Sequence, residues 1–194
     1  MPSRVEIKGK RRVLDDFFKV EEAHLSFEKF DGTMSPVVRR LNLERGDSVA
    51  ALLHHIGRNT AVLVNQFKYP SYEKGPGWIT EVVAGMIDKG ETPEDAIRRE
   101  IHEETRYWAD QVQHISTFYV SPGGSSERII LYYAAVSGAE PSDKCGGLVS
   151  ETEDIKVIEL PIADAFGRVR RGEIADAKTI IALMWLEARH SARG

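Results

Sequence analysis

The sequence predicts an α+β fold, an α/β/α sandwich preceded by an N-terminal antiparallel β extension. Three observations point there. Strand-like stretches run along the chain, alternating apolar and charged over residues 5 to 43, one central helix carries carboxylates inside its apolar arc, and two helical patterns close the C-terminal end. With 194 residues, 42% hydrophobic content and no long apolar run, the chain has the size of one domain with a small extension.

The elements follow in order. Residues 5 to 43 alternate apolar and charged, as in Phe17-Phe18-Lys19-Val20-Glu21-Glu22, and read as antiparallel strands turned at Asp31-Gly32. They set a division into an extension, 1–45, and a main domain, 46–194. Two further strands, Ser48 to His55 and Thr60 to Phe67, turn around Gly57-Arg58-Asn59, and Trp78 to Val83 reads as one continuous strand leading into Gly85. Strands near Ile115 to Val120, Ile129 to Val136 and Ile155 to Leu160 come next, then helices over about Ile162 to Arg171 and Lys178 to His190.

The informative element is the helix expected from about Pro93 to Thr105. Thr92 can cap its first free N–H groups, and Pro93 takes the first-turn position where a missing N–H costs nothing. At about 100° per residue, Ala96, Ile97 and Ile101 share one arc. Glu100 and Glu104 project from inside that arc, with Glu103 at its edge. A solvated acidic face is the ordinary fate of such a run. Carboxylates within an apolar arc are different, because buried unpaired carboxylates persist only beside counter-charges, shared protons or metal ions. Arg99 can neutralise one of them, and hard divalent cations such as Mg²⁺ take oxygen ligands, so these residues are read as a metal site.

The stretch Gly85, Glu91, Arg99, Glu100, Ile101, Glu103, Glu104, Tyr107 resembles the box of the Nudix hydrolases. One position departs from it. Arg106 stands where that family has a second Gly, in a left-handed turn that costs a non-glycine residue about 1 kcal/mol. The loop Ser121-Pro122-Gly123-Gly124-Ser125-Ser126-Glu127 and the stretch Gly172-Glu173-Ile174-Ala175-Asp176-Ala177-Lys178-Thr179 resemble the ADP-ribose and GDP-mannose pyrophosphatase branch. The likeness is nearly chain-long and thins in the first forty residues.

The resemblance implies Mg²⁺ or Mn²⁺ held by Glu100, Glu104 and Glu103 or Glu153, with the carbonyl of Ala84 completing one shell. It implies a Glu-x-Glu loop, here Glu151 and Glu153, delivering a fourth carboxylate and a general base. Glu151 is the first choice for the base and Glu153 its rival, and a free carboxylate is ionised at neutral pH. Arg99 orients the carboxylates. Phe17, Arg40, Lys68, Gly85, Glu127 and Lys178 fall at substrate-binding positions, with Phe17 where an aromatic stacks on a base. Lys68 replaces a common Arg, so a bidentate phosphate clamp becomes a point charge.

The implied reaction is metal-dependent cleavage of a nucleoside diphosphate sugar to a nucleoside monophosphate and a sugar phosphate, by a homodimer joined through the N-terminal sheets. The alternative from another class is a sensor that binds such a nucleotide without hydrolysis. Sensors lose box carboxylates, and this chain keeps them all. A formal charge of −4 gives no argument for nucleic acid or membrane as partner. The N-terminal residues lack a signal-peptide pattern and the single Cys145 cannot form an internal disulfide, so a reducing cytoplasm is the expected setting.

Overall fold

The computed structural model describes residues 1–138, 145–146 and 154–191. The chain forms two compact units: Met1–Gly46 with Tyr119–Arg128, and Asp47–Phe118 with Ile129–Gly194.

In the first unit, β1 (Val5–Asp15), β2 (Lys19–Phe27) and β3 (Val38–Glu44) make an antiparallel sheet in that order. Every residue of β1 is exposed, so pairing rather than burial holds it. The centre of the sheet is pinned by Glu22, 3% exposed, which accepts from Arg11 on β1 at 2.8 Å and from Arg39 on β3. The Ser121–Glu127 turn joins this unit through backbone hydrogen bonds from Leu43 to Gly124 (2.8 Å) and from Ser126 to Leu43 (3.3 Å).

The second unit is built on a mixed sheet of eight strands among the described residues. These are β4 (Ser48–His55), β5 (Thr60–Phe67), β6 (Trp78–Glu81), β7 (Val83–Met86), β8 (Val112–Tyr119), β9 (Arg128–Val136), β10 (Cys145–Gly146) and β11 (Ile155–Pro161). The order is β10-β11-β5-β4-β9-β8, with β6 paired to β5 and β7 to β4; β4 and β9 run parallel. Strand alternation sorts the core into two layers. Val49, Ala51, Leu53, Val62 and Val64 face helix α2 (Pro93–Thr105), meeting Ala96, Ile97 and Ile101. Ala50, Leu52, Ala61 and Leu63 face the other way, against α3 (Ile162–Arg170) and α4 (Ala177–Ser191), meeting Phe166, Ala182 and Leu183. Each fully buried Leu or Ile contributes about 1.5–3 kcal/mol by leaving water. This is the α/β/α sandwich that the sequence predicts.

Two local features depart from the sequence reading. A four-residue helix, α1 (Tyr69–Tyr72), follows β5. The run Trp78 to Val83 is not one strand, because β6 continues the pairing of β5 up to Glu81 and β7 then crosses to pair with Ala51 through Ser48 on β4. Val82 lies at the break, and its N–H donates to the Thr179 hydroxyl at 2.8 Å instead of to a strand. Among the described residues no helix is long and apolar enough to cross a membrane.

Candidate metal and phosphate site

Helix α2 starts and ends as its sequence dictates. Thr92 has extended backbone angles, and its hydroxyl accepts from the Asp95 N–H at 3.2 Å, with Pro93 at the first turn. At the other end Arg106 caps the helix with φ 61° and ψ 7°, its N–H donating to the His102 carbonyl at 2.9 Å. The left-handed turn is therefore kept without its glycine. Between the caps, Ala96, Ile97 and Ile101 are fully buried and Glu104 is buried with them, at 2% exposure.

Arg99 gathers the acidic residues around itself. Its Nε and Nη2 donate to the two oxygens of Glu91, both at 3.0 Å, and Nη1 donates to Glu100 at 2.8 Å and Glu103 at 3.0 Å. Nη2 also reaches the Met86 carbonyl at 3.1 Å, tying the guanidinium to the end of β7. The hydrogen bonds from Arg99 hold the Glu91 carboxyl below its ordinary range, and the Asp88 N–H adds to the effect. Arg99 is in turn held protonated, chiefly by Glu91. The geometry is that of a brace: Arg99 fixes three carboxylates and presents no open fork.

The strand β7 supplies the opposite wall. It packs against α2 and carries Ala84 and Gly85. A methyl group built on Gly85 would overlap the Glu100 carboxylate, so glycine here is a matter of space. The carboxylate sits in the room that the missing side chain leaves.

The chemistry of these carboxylates suits a divalent cation, while among the described residues no three His, Cys, Asp or Glu side chains are already grouped to hold one. Three carboxylates pair with Arg99, and Glu104 adds a fourth, buried one, so negative charge exceeds the positive charge of the guanidinium. All are hard oxygen donors on one helix and the loop before it, facing a strand whose Gly85 makes space for one of them. Arg99 draws Glu100 and Glu103 together, and Glu104 lies on the same helix while Ala84 precedes Gly85 on β7. Glu151 and Glu153 lie outside the described residues. Of the described elements, β10 and β11 pair with each other, and β10 lies beside α2.

The two lysines singled out by sequence also come together. Glu81, 4% exposed at the end of β6, bonds to the Lys178 ammonium and lies 3.5 Å from that of Lys68. Lys178 also donates to Asp176 at 2.8 Å. Burial alone would lower the Lys178 ammonium; Glu81 and Asp176 outweigh it and raise it above its ordinary value. Asp176 in addition accepts from the Thr179 N–H (2.9 Å) and hydroxyl (2.6 Å), capping the start of α4. Neither Glu81 nor Asp176 stands out in the sequence, because each reads as an ordinary strand or loop carboxylate until partners far along the chain are seen.

In the first unit, Phe17 is 81% exposed at the β1–β2 turn and meets Phe18 edge-on, ring centres 4.9 Å apart. Arg40 is exposed on β3, with its guanidinium bonded to the Arg39 carbonyl at 2.9 Å. Glu127 lies 3.7 Å from Arg45, whose guanidinium is 5.7 Å from the Phe18 ring centre. Phe17, Arg40 and Glu127 thus belong to one unit, and the metal and lysine residues to the other.

Comparison with known proteins decides the family. A NUDIX domain model matches residues 44–183. The chain belongs to the Nudix family. It is 35% identical over 189 residues to the ADP-ribose pyrophosphatase of Escherichia coli (strain K12), covering 97% of this chain and 90% of that one. It is 32% identical over 192 residues to a GDP-mannose pyrophosphatase of Escherichia coli O1:K1 / APEC, covering 98% of both. The fold matches a solved structure described as an ADP compounds hydrolase with a TM-score of 0.71, over 99% of this chain and 97% of that one, at 16% identity. Nudix pyrophosphatases use divalent metal ions, in keeping with the acidic surplus on α2.

Proposed function

We propose that this Nudix hydrolase cleaves the diphosphate bond of a nucleoside diphosphate sugar, of the ADP-ribose or GDP-mannose type, with Mg²⁺ as its ion and Mn²⁺ as a substitute. Water attacks one phosphorus, the bridging P–O bond breaks, and a nucleoside monophosphate and a sugar phosphate leave. The observation that carries this reading is the Glu100 carboxylate, braced by Arg99 and seated in the space beside Gly85, in a chain whose curated relatives are named for acting on such compounds.

In this reading Glu100, Glu103, Glu104, the Ala84 carbonyl and Glu153 hold the ions. A bound Mg²⁺ screens the diphosphate oxygens and eases deprotonation of the attacking water. Glu151 takes that proton, with Glu153 as the alternative base. Arg99 keeps Glu100 and Glu103 in place, and the lysine pair Lys68 and Lys178 supplies positive charge for the diphosphate. Gly85 lines the site. Phe17, Arg40 and Glu127 recognise the nucleoside and sugar, in a homodimer that pairs the N-terminal sheets of 1–45 and works in the cytoplasm.

The test is nucleoside monophosphate release from ADP-ribose, GDP-mannose, UDP-glucose, NADH and diadenosine polyphosphates, each with Mg²⁺ and with chelator. Chelator-sensitive turnover of a nucleotide sugar is the expected result. Binding of a nucleotide sugar with no turnover of any compound would replace the enzyme by a sensor.

A further inference from the structure

Past the last turn of α2 the second unit opens into a pocket of about 510 Å³, within the size range of small-ligand sites. Trp108 and Asp110 line it together with Arg98 and His102 of the helix. Arg99 and Glu103 form part of its wall, so it adjoins the acidic cluster.

Trp108 is 72% exposed, although Tyr107 and Ala109 on either side of it are 5% and 6% exposed. The two buried neighbours fix the backbone, and the alternation sends Trp108 and Asp110 out on the same side. The indole lies against the His102 imidazole, with ring centres 3.7 Å apart and planes 19° apart. His102 Nδ1 is buried and makes no hydrogen bond among the described residues, so stacking sets that ring. One face of the indole is backed and the other is open.

The charges around the indole select the ligand. Arg99 commits its donors to Glu91, Glu100 and Glu103. Arg98 donates to the carboxylate and the carbonyl of Glu94, both at 3.3 Å. Asp110 has no hydrogen bond or ion pair among the described residues. The uncommitted charge is therefore an acceptor, which repels phosphate and receives N–H donors.

We infer that this pocket is a second base site, in which a purine stacks on the open face of Trp108 and presents N–H donors to Asp110. Guanine suits it best, because its ring N–H and its amino group offer two neighbouring donors to one carboxylate. Phe17, the aromatic already proposed to meet a base, belongs to the other unit. The inference rests on the proposed activity only where the base is part of the substrate.

Guanosine is the probe, since it carries no phosphate and reads the pocket apart from hydrolysis. With the whole chain in chelator, calorimetry is expected to show guanosine binding that Trp108→Leu weakens about 10-fold, the order expected for losing one stacked base. Trp108→Phe keeps most of the affinity. Guanosine binds wild type more tightly than adenosine does, and that preference disappears in Asp110→Ala. No guanosine binding at millimolar concentration, equal affinity in wild type and Trp108→Leu, or a preference that survives Asp110→Ala would each overturn the inference. Should Trp108→Leu lose its cooperative unfolding transition, quenching of Trp108 fluorescence by guanosine, read as the difference between wild type and Trp108→Phe, takes its place. Turnover of diguanosine tetraphosphate with Mg²⁺ tells the source of the base. A KM raised about 10-fold in Trp108→Leu makes the base the substrate's own, and an unchanged KM makes it that of a free nucleoside. Guanosine binding in a chain that hydrolyses no nucleotide sugar would refute the proposed activity and leave the pocket standing.

Discussion

Two clusters of charge in the same unit are built on opposite plans. Around Arg99, the carboxylates of Glu91, Glu100 and Glu103 share one guanidinium, with Glu104 buried beside them. Around Glu81, two carboxylates meet two ammonium groups in an alternating row. In the first, three carboxylates share one cation; in the second, carboxylates and ammonium groups alternate one to one. In the proposed function the first cluster takes up divalent cations, whereas the second is built of protein charges. Both are built from ion pairs, and they differ in the ratio of acidic to basic partners.

The strongest way to break the comparison is to remove surplus. Glu104→Gln deletes an oxygen ligand while keeping its size, and metal-dependent hydrolysis of the preferred nucleotide sugar is expected to fall more than about 100-fold, a barrier increase of about 2.7 kcal/mol or more. The same change in a balanced cluster would act on folding, so steady-state turnover and thermal unfolding are measured together; turnover within a few-fold of wild type would contradict the metal assignment.

Gly85→Ala leaves every charge in place and displaces one. Because the added methyl overlaps the Glu100 carboxylate, turnover is expected to drop about 10- to 100-fold, in line with the cost of small misplacements at a reacting centre. Retained activity would mean that Glu100 acts from another position.

At the end of α2, Arg106→Gly relieves the left-handed cap and is expected to raise unfolding free energy by about 1 kcal/mol without changing the charges of the cluster. Denaturant unfolding reads this directly, and a loss of stability would show that the Arg106 side chain matters more than its backbone.

The two plans also separate by pH. Glu91 has a lowered folded-state value, so its contribution is present above its ordinary 4.5 and is lost as pH falls through the lowered value. Lys178 has a raised value, so its contribution is present below its ordinary 10.5 and is lost as pH rises through the raised one. The stability difference between wild type and Glu91→Gln should therefore shrink in acid, and that between wild type and Lys178→Met in alkali. Unfolding midpoints followed across pH check both signs.

Much of this was legible in the sequence where the signal is local. The bounds of α2 follow from Thr92, Pro93 and a three-residue apolar arc, and the strands Ser48–His55 and Thr60–Phe67 follow from two short apolar runs on either side of the Gly57-Arg58-Asn59 turn. The carboxylates inside the arc likewise announced themselves by spacing. Long-range features did not. Nothing between Trp78 and Val83 breaks a strand locally; the break comes from a change of pairing partner and a hydroxyl 97 residues away that takes the Val82 N–H. Glu81 was hidden for the same reason, since its partner Lys178 is 97 positions further on.

The most direct test of the central claim is the unfolding midpoint of wild type and Glu104→Gln, with chelator and with millimolar Mg²⁺. An ion that binds only the folded chain stabilises it by RT ln(1 + [ion]/Kd), and so raises the midpoint as its concentration exceeds Kd. Wild type is expected to gain stability with Mg²⁺ and Glu104→Gln to gain little. An equal rise in both, or none in wild type, would contradict the reading of the α2 surplus as a metal site.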